Sequence, residues 1–197
     1  MIYFVRHGHK AKSNYYNEAL GFTDEPLSEE GMDDAVRVAE YFSNIDISKI
    51  IVSEYQRTYQ TALPAAQLKG LPIIVDGRVN EMNIGKLAGM TQEQAMEVFP
   101  EFWKKLLEHK EDVEFPGGEC GADVFKRQDS FMNQMKYEKG NIMVVSHDGF
   151  IRILLCNILG LPPYMRYKFK TSMAGLSIVD FDTDEGEWRI ARFNQAL

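Results

Sequence analysis

A histidine preceded by arginine and followed by glycine comes directly after the first apolar segment of the chain. Residues 1–5 are mostly β-branched or aromatic, which predicts a buried strand whose carboxyl end delivers Arg6 and His7. An imidazole at such a place can attack phosphorus, and Gly8 lets the backbone come close to a ligand. The tripeptide alone is equally compatible with a partly buried histidine at a strand end. A nucleophilic His7 is therefore a hypothesis that needs companion residues.

An arginine lies in the first turn of a predicted helix that follows a second strand. Arg57 stands within residues 52–62, at the junction between the two elements. Helix N-termini favour anions, and a guanidinium there adds a bidentate fork for phosphate oxygens. An isolated arginine is more often a solvated surface residue, but its place after a buried strand favours the anion site.

A second histidine and a glutamate complete the set of chemically capable residues. His147 lies in residues 145–149, again where a strand opens a helix, and it could contact the same phosphate. Glu81 stands among apolar residues and glycines in residues 80–89, where a carboxyl group can act as a general acid. In isolation, a solvent-facing loop glutamate is the commoner interpretation of Glu81.

Alternating strands and helices must position these residues. The predicted strands cover residues 1–5, 49–52, 73–75 and 141–145, the predicted helices cover about 28–42, 54–68, 91–99, 101–109, 120–137 and 149–159, and residues 176–181 and 188–193 form a hairpin. This order predicts an α/β fold, a three-layer α/β/α sandwich with a mostly parallel central sheet and a C-terminal β-hairpin. Sites in such folds lie beyond the carboxyl ends of the strands, which is where both histidines fall.

Composition excludes several classes of partner. The 197 residues are 45% hydrophobic, enough for one compact domain, and the net charge of −7 without a basic tract predicts that neither nucleic acid nor an anionic membrane is a partner. The two cysteines, Cys120 and Cys156, lack the spacing of a zinc or redox pair. The N-terminus has no features of a signal peptide, and no apolar run approaches the roughly 20 residues of a membrane helix. We therefore expect a soluble, cytoplasmic protein, and its oligomeric state stays open.

Taken together, these segments resemble the histidine phosphatase superfamily, which is phosphoglycerate-mutase-like. Its motifs R-H-G, S-x-x-x-R-x-x-Q-T, E-x-x-x-G-x-x-x-G and S-H-x-G are matched in order by residues 6–8, 53–61, 81–89 and 146–149. The resemblance covers the chain from Phe4 to Arg152. It includes residues 24–31, which are similar to the family's D-x-P-L-[ST]-x-x-G.

The resemblance implies a metal-independent phosphatase without a cofactor. His7 would accept the phosphoryl group, Glu81 would protonate the leaving oxygen and later activate water, and Arg6, Arg57 and His147 would neutralise charge on the transferring oxygens. For these tasks we expect a neutral His7 and a protonated His147.

The resemblance also implies one domain over residues 1–197, with a helical lid at about residues 85–137, that acts on a small phosphorylated metabolite. The implied substrate-binding residues are Arg6, Arg57, His147, Asn14, Thr23, Cys120 and Asp148.

Three positions depart from the family pattern. The asparagine expected after R-H-G falls on Ser13, with Asn14 displaced by one, so either residue could contact phosphate. Cys120 replaces the serine of the family's P-G-G-E-S. Asp148 replaces the first glycine of S-H-G-G, where a carboxylate would repel a phosphate dianion, so we expect it to receive a substrate amine or to orient His147.

Three competing functions remain open. A phosphoglycerate mutase shares the pocket, but mutases generally carry a longer insertion than the 66 positions that separate Glu81 from His147, which favours hydrolysis. A metal-dependent hydrolase would use His7 and His9, with His147 and Asp148. The best-known enzymes of that kind are barrels of about 250 residues, and the arginines oppose a cation. An inactive phosphate-binding module is disfavoured because both chemical groups are retained.

Overall fold

The computed structural model describes residues 1–12, 16–17 and 22–197. In chain order the strands are β1 (Ile2–Arg6), β2 (Tyr16–Asn17), β3 (Phe22–Thr23), β4 (Ile47–Val52), β5 (Ile73–Val75), β6 (Asn141–Ser146), β7 (Leu176–Asp182) and β8 (Glu187–Gln195). The helices are α1 (Glu29–Phe42), α2 (Gln56–Lys69), α3 (Gln92–Val98), α4 (Pro100–Glu108), α5 (Gly121–Met135) and α6 (Asp148–Ile158). Short 3₁₀ helices occupy Gly77–Val79, Gly85–Leu87 and Pro163–Lys168.

Six strands form one sheet in the order β5-β4-β6-β1-β7-β8. Strands β5, β4, β6 and β1 run parallel, and β7 and β8 join antiparallel at the β1 edge. The predicted mostly parallel sheet with a C-terminal hairpin is confirmed. Within the described residues, no helix is both long enough and apolar enough to cross a membrane.

Both faces of the sheet are buried, and apolar side chains lie on each of them. Phe4 of β1 packs in one core with Phe131 of α5 and Phe150 of α6. Val5, the next residue, belongs to the opposite core, which also contains Phe42 of α1. Successive side chains of a strand point to opposite faces, so this alternation places the sheet between two helical layers. The three-layer prediction is confirmed.

Local signals set the helix ends. Ser28 caps α1 by accepting a hydrogen bond from the Gly31 N–H at 3.1 Å, and Gly70 ends α2 in the left-handed conformation at φ 63°. Helix α2 starts at Gln56 rather than near residue 54, because the backbone of Tyr55 is still extended (ψ 133°). The start of α2 therefore brings Arg57 directly to the end of the sheet.

Candidate active site

The carboxyl ends of β1, β4 and β6 bring the predicted residues together. His7 follows β1, and its N–H donates to the carbonyl of Ser146, the last residue of β6, at 2.9 Å. Arg57 lies one residue into α2, beyond β4, and His147 is the N-cap of α6. The two imidazole rings lie edge to face with centroids 5.2 Å apart. Parallel strands thus place residues far apart in sequence at one point.

His7 is held as a neutral imidazole with one defined tautomer. Its Nδ1 lies 2.8 Å from the Gly8 carbonyl, which can only accept, so Nδ1 carries the proton and Nε2 carries the lone pair. Burial, and then the charges of Arg57 and Arg6, lower the pKa of His7 to about 3, although the hydrogen bond to Gly8 opposes them. The hydrogen bond to Gly8 and the lowered pKa agree with the neutral imidazole expected from the sequence, in which Nε2 carries the lone pair.

His147 differs from the expected protonated imidazole. It is fully buried, and this burial, with the positive charge of Arg57, lowers its pKa well below the usual value. Arg57 Nη2 donates to Nδ1 at 3.2 Å, so Nε2 carries the proton and donates to Ser53 Oγ at 2.7 Å. The sequence expectation assumed a histidine with neighbouring anions, whereas its nearest charged neighbour is a guanidinium. His147 therefore helps to position Arg57 by accepting this hydrogen bond.

Arg6 and Arg57 present hydrogen-bond donors that the described part of the chain does not use. Nε of Arg6 and both Nε and Nη1 of Arg57 are buried and have no hydrogen-bond acceptor within residues 1–12, 16–17 and 22–197. The Asp24 carboxylate lies 3.6 Å from Nη1 of Arg57. The Tyr55 ring supports the guanidinium carbon of Arg57 at 4.2 Å from its centroid. Buried donors without acceptors are costly, so this arrangement favours a bound anion.

Asp148 orients Arg6 instead of His147. Its carboxylate accepts from Thr171 Oγ1 at 2.5 Å and from Arg152 Nη1 at 2.8 Å, and it lies 3.7 Å from Arg6 Nη1. Burial alone would raise the pKa of Asp148, but the hydrogen bonds from Thr171 and Arg152 and the charge of Arg6 outweigh it and lower the pKa. Asp148 is thus a carboxylate anion that already pairs with Thr171, Arg152 and Arg6.

Glu81 lies over the N-terminus of α6. Its Oε1 accepts from the N–H groups of Met82 at 2.9 Å and Phe150 at 3.0 Å, and Oε2 accepts from Gly149 at 3.2 Å. A Cβ on Gly149 would lie 2.6 Å from Oε1, so any other residue there would displace the carboxyl group. This explains why glycine follows Asp148 at this position.

Sequence reasoning missed Arg127, which holds the backbone around Glu81. From α5 its Nη1 donates to the carbonyls of Arg78 and Asn80, both at 2.8 Å, and its Nη2 donates to the carbonyl of Glu81 at 3.3 Å. Its Nε pairs with Glu119 at 2.9 Å. One partly buried side chain thus fixes three nearby carbonyls of the segment that carries the candidate acid.

Glu119 holds the next part of the same segment. Its carboxylate accepts from the Asn83 N–H at 2.8 Å, and its own N–H donates to the Asn83 carbonyl at 2.9 Å. A Cβ on Gly118 would lie 2.3 Å from that carbonyl oxygen, so the two segments can approach only with glycine there. The P-G-G-E motif was visible in the sequence, but its contact with residues 81–85 was not.

A cavity of about 780 Å³ opens in front of these residues. The residues that line it are Arg6, His7, Lys10, Lys12, Thr23, Glu25, Tyr55, Arg57, Glu81, Met82, Asn83, Ile84, Ala88, Gly89, Phe115, Asp148, Gly149, Arg166, Tyr167 and Met173. Of the predicted substrate-binding residues, Arg6, Thr23, Arg57 and Asp148 therefore reach the cavity, whereas His147 does not line it. Cys120 is the N-cap of α5 and does not line it, and both Ser13 and Asn14 lie outside the described residues.

His7 and His9 do not form a shared metal site. The Nδ1 of His9 lies 2.7 Å from the Asp34 carboxylate, whereas that of His7 is bonded to a carbonyl. A Cβ on Gly8 would lie 2.8 Å from the Gly31 carbonyl, so Gly8 permits a close approach to α1 rather than to a ligand. No group of three or more histidine, cysteine or acidic residues suited to a metal occurs in the part of the chain that the structure describes.

Comparison with known protein families identifies the class of protein to which this fold and site belong. Residues 2–196 match the family model of the histidine phosphatase superfamily (branch 1). The chain therefore belongs to the histidine phosphatase superfamily.

Two relatives and one solved structure illustrate the range of this family. Phosphoserine phosphatase 1 from Hydrogenobacter thermophilus is 32% identical over 183 residues, which cover 92% of this chain and 86% of the relative. A protein named "Probable phosphoglycerate mutase GpmB" from Enterobacter sp. (strain 638) is 31% identical, with 95% and 86% covered. A mycobacterial glucosyl-3-phosphoglycerate phosphatase in complex with inorganic phosphate has the same fold, with a TM-score of 0.83, 24% identity, and 99% and 97% covered.

Proposed function

We propose that the protein is a metal-independent phosphomonoester hydrolase that acts on a small phosphorylated metabolite through a phosphohistidine at His7. The observation that carries this proposal is the state of His7: a neutral imidazole, with its Nε2 lone pair free, beside guanidinium donors that have no acceptor within the described residues. A nucleophile and an anion site at one point are the two requirements of phosphoryl transfer.

The reaction takes two steps. In the first, Nε2 of His7 forms a bond to phosphorus, the bond from phosphorus to the ester oxygen breaks, and Glu81 gives a proton to the departing alcohol. In the second, Glu81, now a carboxylate, takes a proton from water as the water oxygen bonds to phosphorus. The bond from phosphorus to nitrogen breaks, which releases phosphate and neutral His7.

Positive charge around the phosphoryl group comes from arginine rather than from a metal. Arg6 and Arg57 direct their unused donors to the site, and His147 and Asp148 fix the two guanidinium groups from behind. Preorganised donors of this kind stabilise charge on the transferring oxygens.

The leaving group occupies the outer cavity. Its wall includes the apolar side chains of Ile84, Phe115 and Met173 and the charged side chains of Lys10 and Lys12. The relatives act on phosphoserine and glucosyl-3-phosphoglycerate by name, which supports a small phosphorylated metabolite as substrate here.

The helical lid at about residues 85–137 is part of the proposal. Ala88, Gly89 and Phe115 contribute to the cavity wall, and none of the residues of α4 is buried. Leu87, Ala95 and Phe115 belong to the same core as Val124 and Phe131 of α5. Because part of this region borders the cavity, we propose that it covers the substrate, within one domain over residues 1–197.

A phosphoglycerate mutase is the second candidate, because a relative at 31% identity carries that name. A mutase would return the phosphoryl group from His7 to another hydroxyl, whereas a phosphatase delivers it to water. Both begin with the same phosphohistidine.

A phosphate-release screen distinguishes these activities. The protein, dialysed against chelator, is given a panel of phosphomonoesters, and 3-phosphoglycerate is followed for isomerisation in parallel. We expect phosphate release at full rate without metal. Isomerisation faster than release would establish the mutase, and activity that is lost on chelation and restored by a divalent ion would contradict the proposal.

A further inference from the structure

We propose that Arg166 forms a second anion subsite in the cavity, which binds a carboxylate on the leaving group of the substrate. This inference rests on the proposed function, since it places the leaving group in the same cavity. It goes further in naming the substrate class: phosphomonoesters of hydroxy acids.

Arg166 is a buried cation that reaches the cavity wall. It lies in the 3₁₀ helix Pro163–Lys168, is only 5% exposed, and lines the cavity with Tyr167. Its Nη1 donates to the Pro163 carbonyl at 3.3 Å and its Nη2 to the Tyr167 hydroxyl at 3.0 Å. Both acceptors are neutral, so neither balances the charge of the guanidinium.

The nearest carboxylate does not satisfy this cation. Asp112 lies 3.8 Å from Nη1, too far for a hydrogen bond, and no other carboxylate of the described residues lies within 4.0 Å of the guanidinium. The oxygens of Asp112 already accept from the N–H groups of Gly121 at 2.9 Å and Ala122 at 2.8 Å, at the start of α5. A buried charge without a directly bonded counter-ion is costly, and a ligand anion would supply one.

The guanidinium is held rigidly in place. It lies over the Tyr167 ring, 4.6 Å from the centroid, and His109 stacks on the same ring at 3.9 Å with the planes 8° apart. The backbone carbonyl of Arg166 accepts from Arg152 Nε at 2.8 Å, and Arg152 also binds Asp148, which pairs with Arg6. A chain of polar contacts thus fixes Arg166 relative to the candidate phosphate site, as a preorganised binding group requires.

The charge of the cavity favours a carboxylate over a second phosphate. Five basic side chains line it (Arg6, Lys10, Lys12, Arg57 and Arg166), together with three acidic ones (Glu25, Glu81 and Asp148). These residues carry an excess of two positive charges, which one phosphate dianion balances. A second dianion would leave an excess of two negative charges in the cavity, and a carboxylate would leave only one. The planar fork of arginine matches a carboxylate in shape.

The test uses two ligands that differ by one carboxylate. O-phosphoserine and phosphoethanolamine share the phosphate ester and the ammonium group, and the His7→Ala protein should bind both without turnover. Isothermal titration gives a dissociation constant for each. We expect phosphoserine to bind about 10- to 100-fold more tightly, the usual effect of hydrogen bonds to a charged group. Adding Arg166→Gln should bring that ratio toward 1, whereas Arg166→Lys should keep part of it.

Lys168→Gln is the matched control, because it removes the same charge from an exposed position in the same 3₁₀ helix and should leave the ratio intact. A ratio near 1 in the His7→Ala protein, an unchanged ratio in Arg166→Gln, or binding of neither ligand would overturn the subsite. Phosphate release by the wild-type protein is scored separately. Equal release from both esters would support the phosphatase activity and contradict the subsite. A large binding ratio without release would support the subsite and contradict the phosphatase activity.

Discussion

Two buried histidines, both neutral, stand at the centre of the site and do different work. In His7 the lone pair lies on Nε2 and is available at the cavity. In His147 the lone pair lies on Nδ1 and accepts a hydrogen bond from Arg57. The R-H-G and S-H-x-G motifs predicted that both histidines lie at the site. The protonation state of His147 could not be read from them, because it depends on a guanidinium 90 residues away and on complete burial.

We predict that the free energy of unfolding falls as the pH drops below about 6.5. The pKa of His7 is about 3 in the folded protein and 6.5 when exposed, so between these values only the unfolded chain binds this proton. His147 is shifted in the same direction. The stabilisation is full above 6.5 and is lost toward pH 3, at up to about 1.4 kcal/mol per pH unit for each histidine.

Urea unfolding at pH 7.5, 6.0 and 5.0 measures this slope. In the His7→Ala protein the free energy of unfolding should depend less steeply on pH, because only one of the two histidines remains to bind a proton on unfolding. Parallel slopes for the two proteins would show that His7 is not held neutral.

We predict that Glu81→Gln affects poor leaving groups most. An alkoxide needs a proton to depart and a nitrophenolate does not, so turnover of an alkyl phosphate should fall by about 10² to 10⁴, whereas phosphorylation by nitrophenyl phosphate should fall much less. The variant should also lack the base for hydrolysis and accumulate phosphoenzyme. Pre-steady-state release of nitrophenol should then show a burst. Equal losses on both substrates without a burst would make Glu81 structural, and the acid would have to be sought elsewhere.

At the scale of elements, the site depends on contacts between segments that are remote in sequence. The strand ends place His7, Arg57 and His147, as the α/β pattern predicted. The position of Glu81 depends instead on Arg127 of α5, on Glu119, which lies just before that helix, and on the N-terminus of α6. Periodicity predicted these helices to within two residues, but nothing in it shows which side chain of α5 reaches the loop.

We predict that Arg127→Met lowers kcat on an alkyl phosphate by about 10- to 100-fold. Without Arg127 the loop that carries Glu81 is no longer held in place, and a small displacement of a catalytic group lowers the rate steeply. KM should change less, since Arg127 does not line the cavity. The loss on nitrophenyl phosphate should be smaller. Steady-state kinetics on both substrates test this, with Lys126→Gln, an exposed neighbour on α5, as the control and Arg127→Lys as a partial rescue. Equal losses on both substrates would indicate a general effect on folding.

At the scale of the whole molecule, the sequence predicted the inner part of the cavity better than the outer part. The motifs that neighbour strand ends supplied Arg6, His7 and Arg57, because the sheet forces those ends together. Arg166 and Tyr167 belong to a 3₁₀ helix without a motif, so their place in the wall depends on how residues 163–168 pack on α6. The proposed covalent chemistry takes place at this inner site.

Trapping the phosphoenzyme tests that chemistry most directly. Wild-type protein is mixed briefly with ³²P-labelled substrate, quenched in alkali, digested and sequenced by mass spectrometry, with His7→Ala in parallel. We predict label on His7 that survives base, is lost in acid, and is absent from the variant. Label on Cys120 or another residue, or rapid turnover with no labelled protein at any quench time, would contradict a phosphohistidine mechanism.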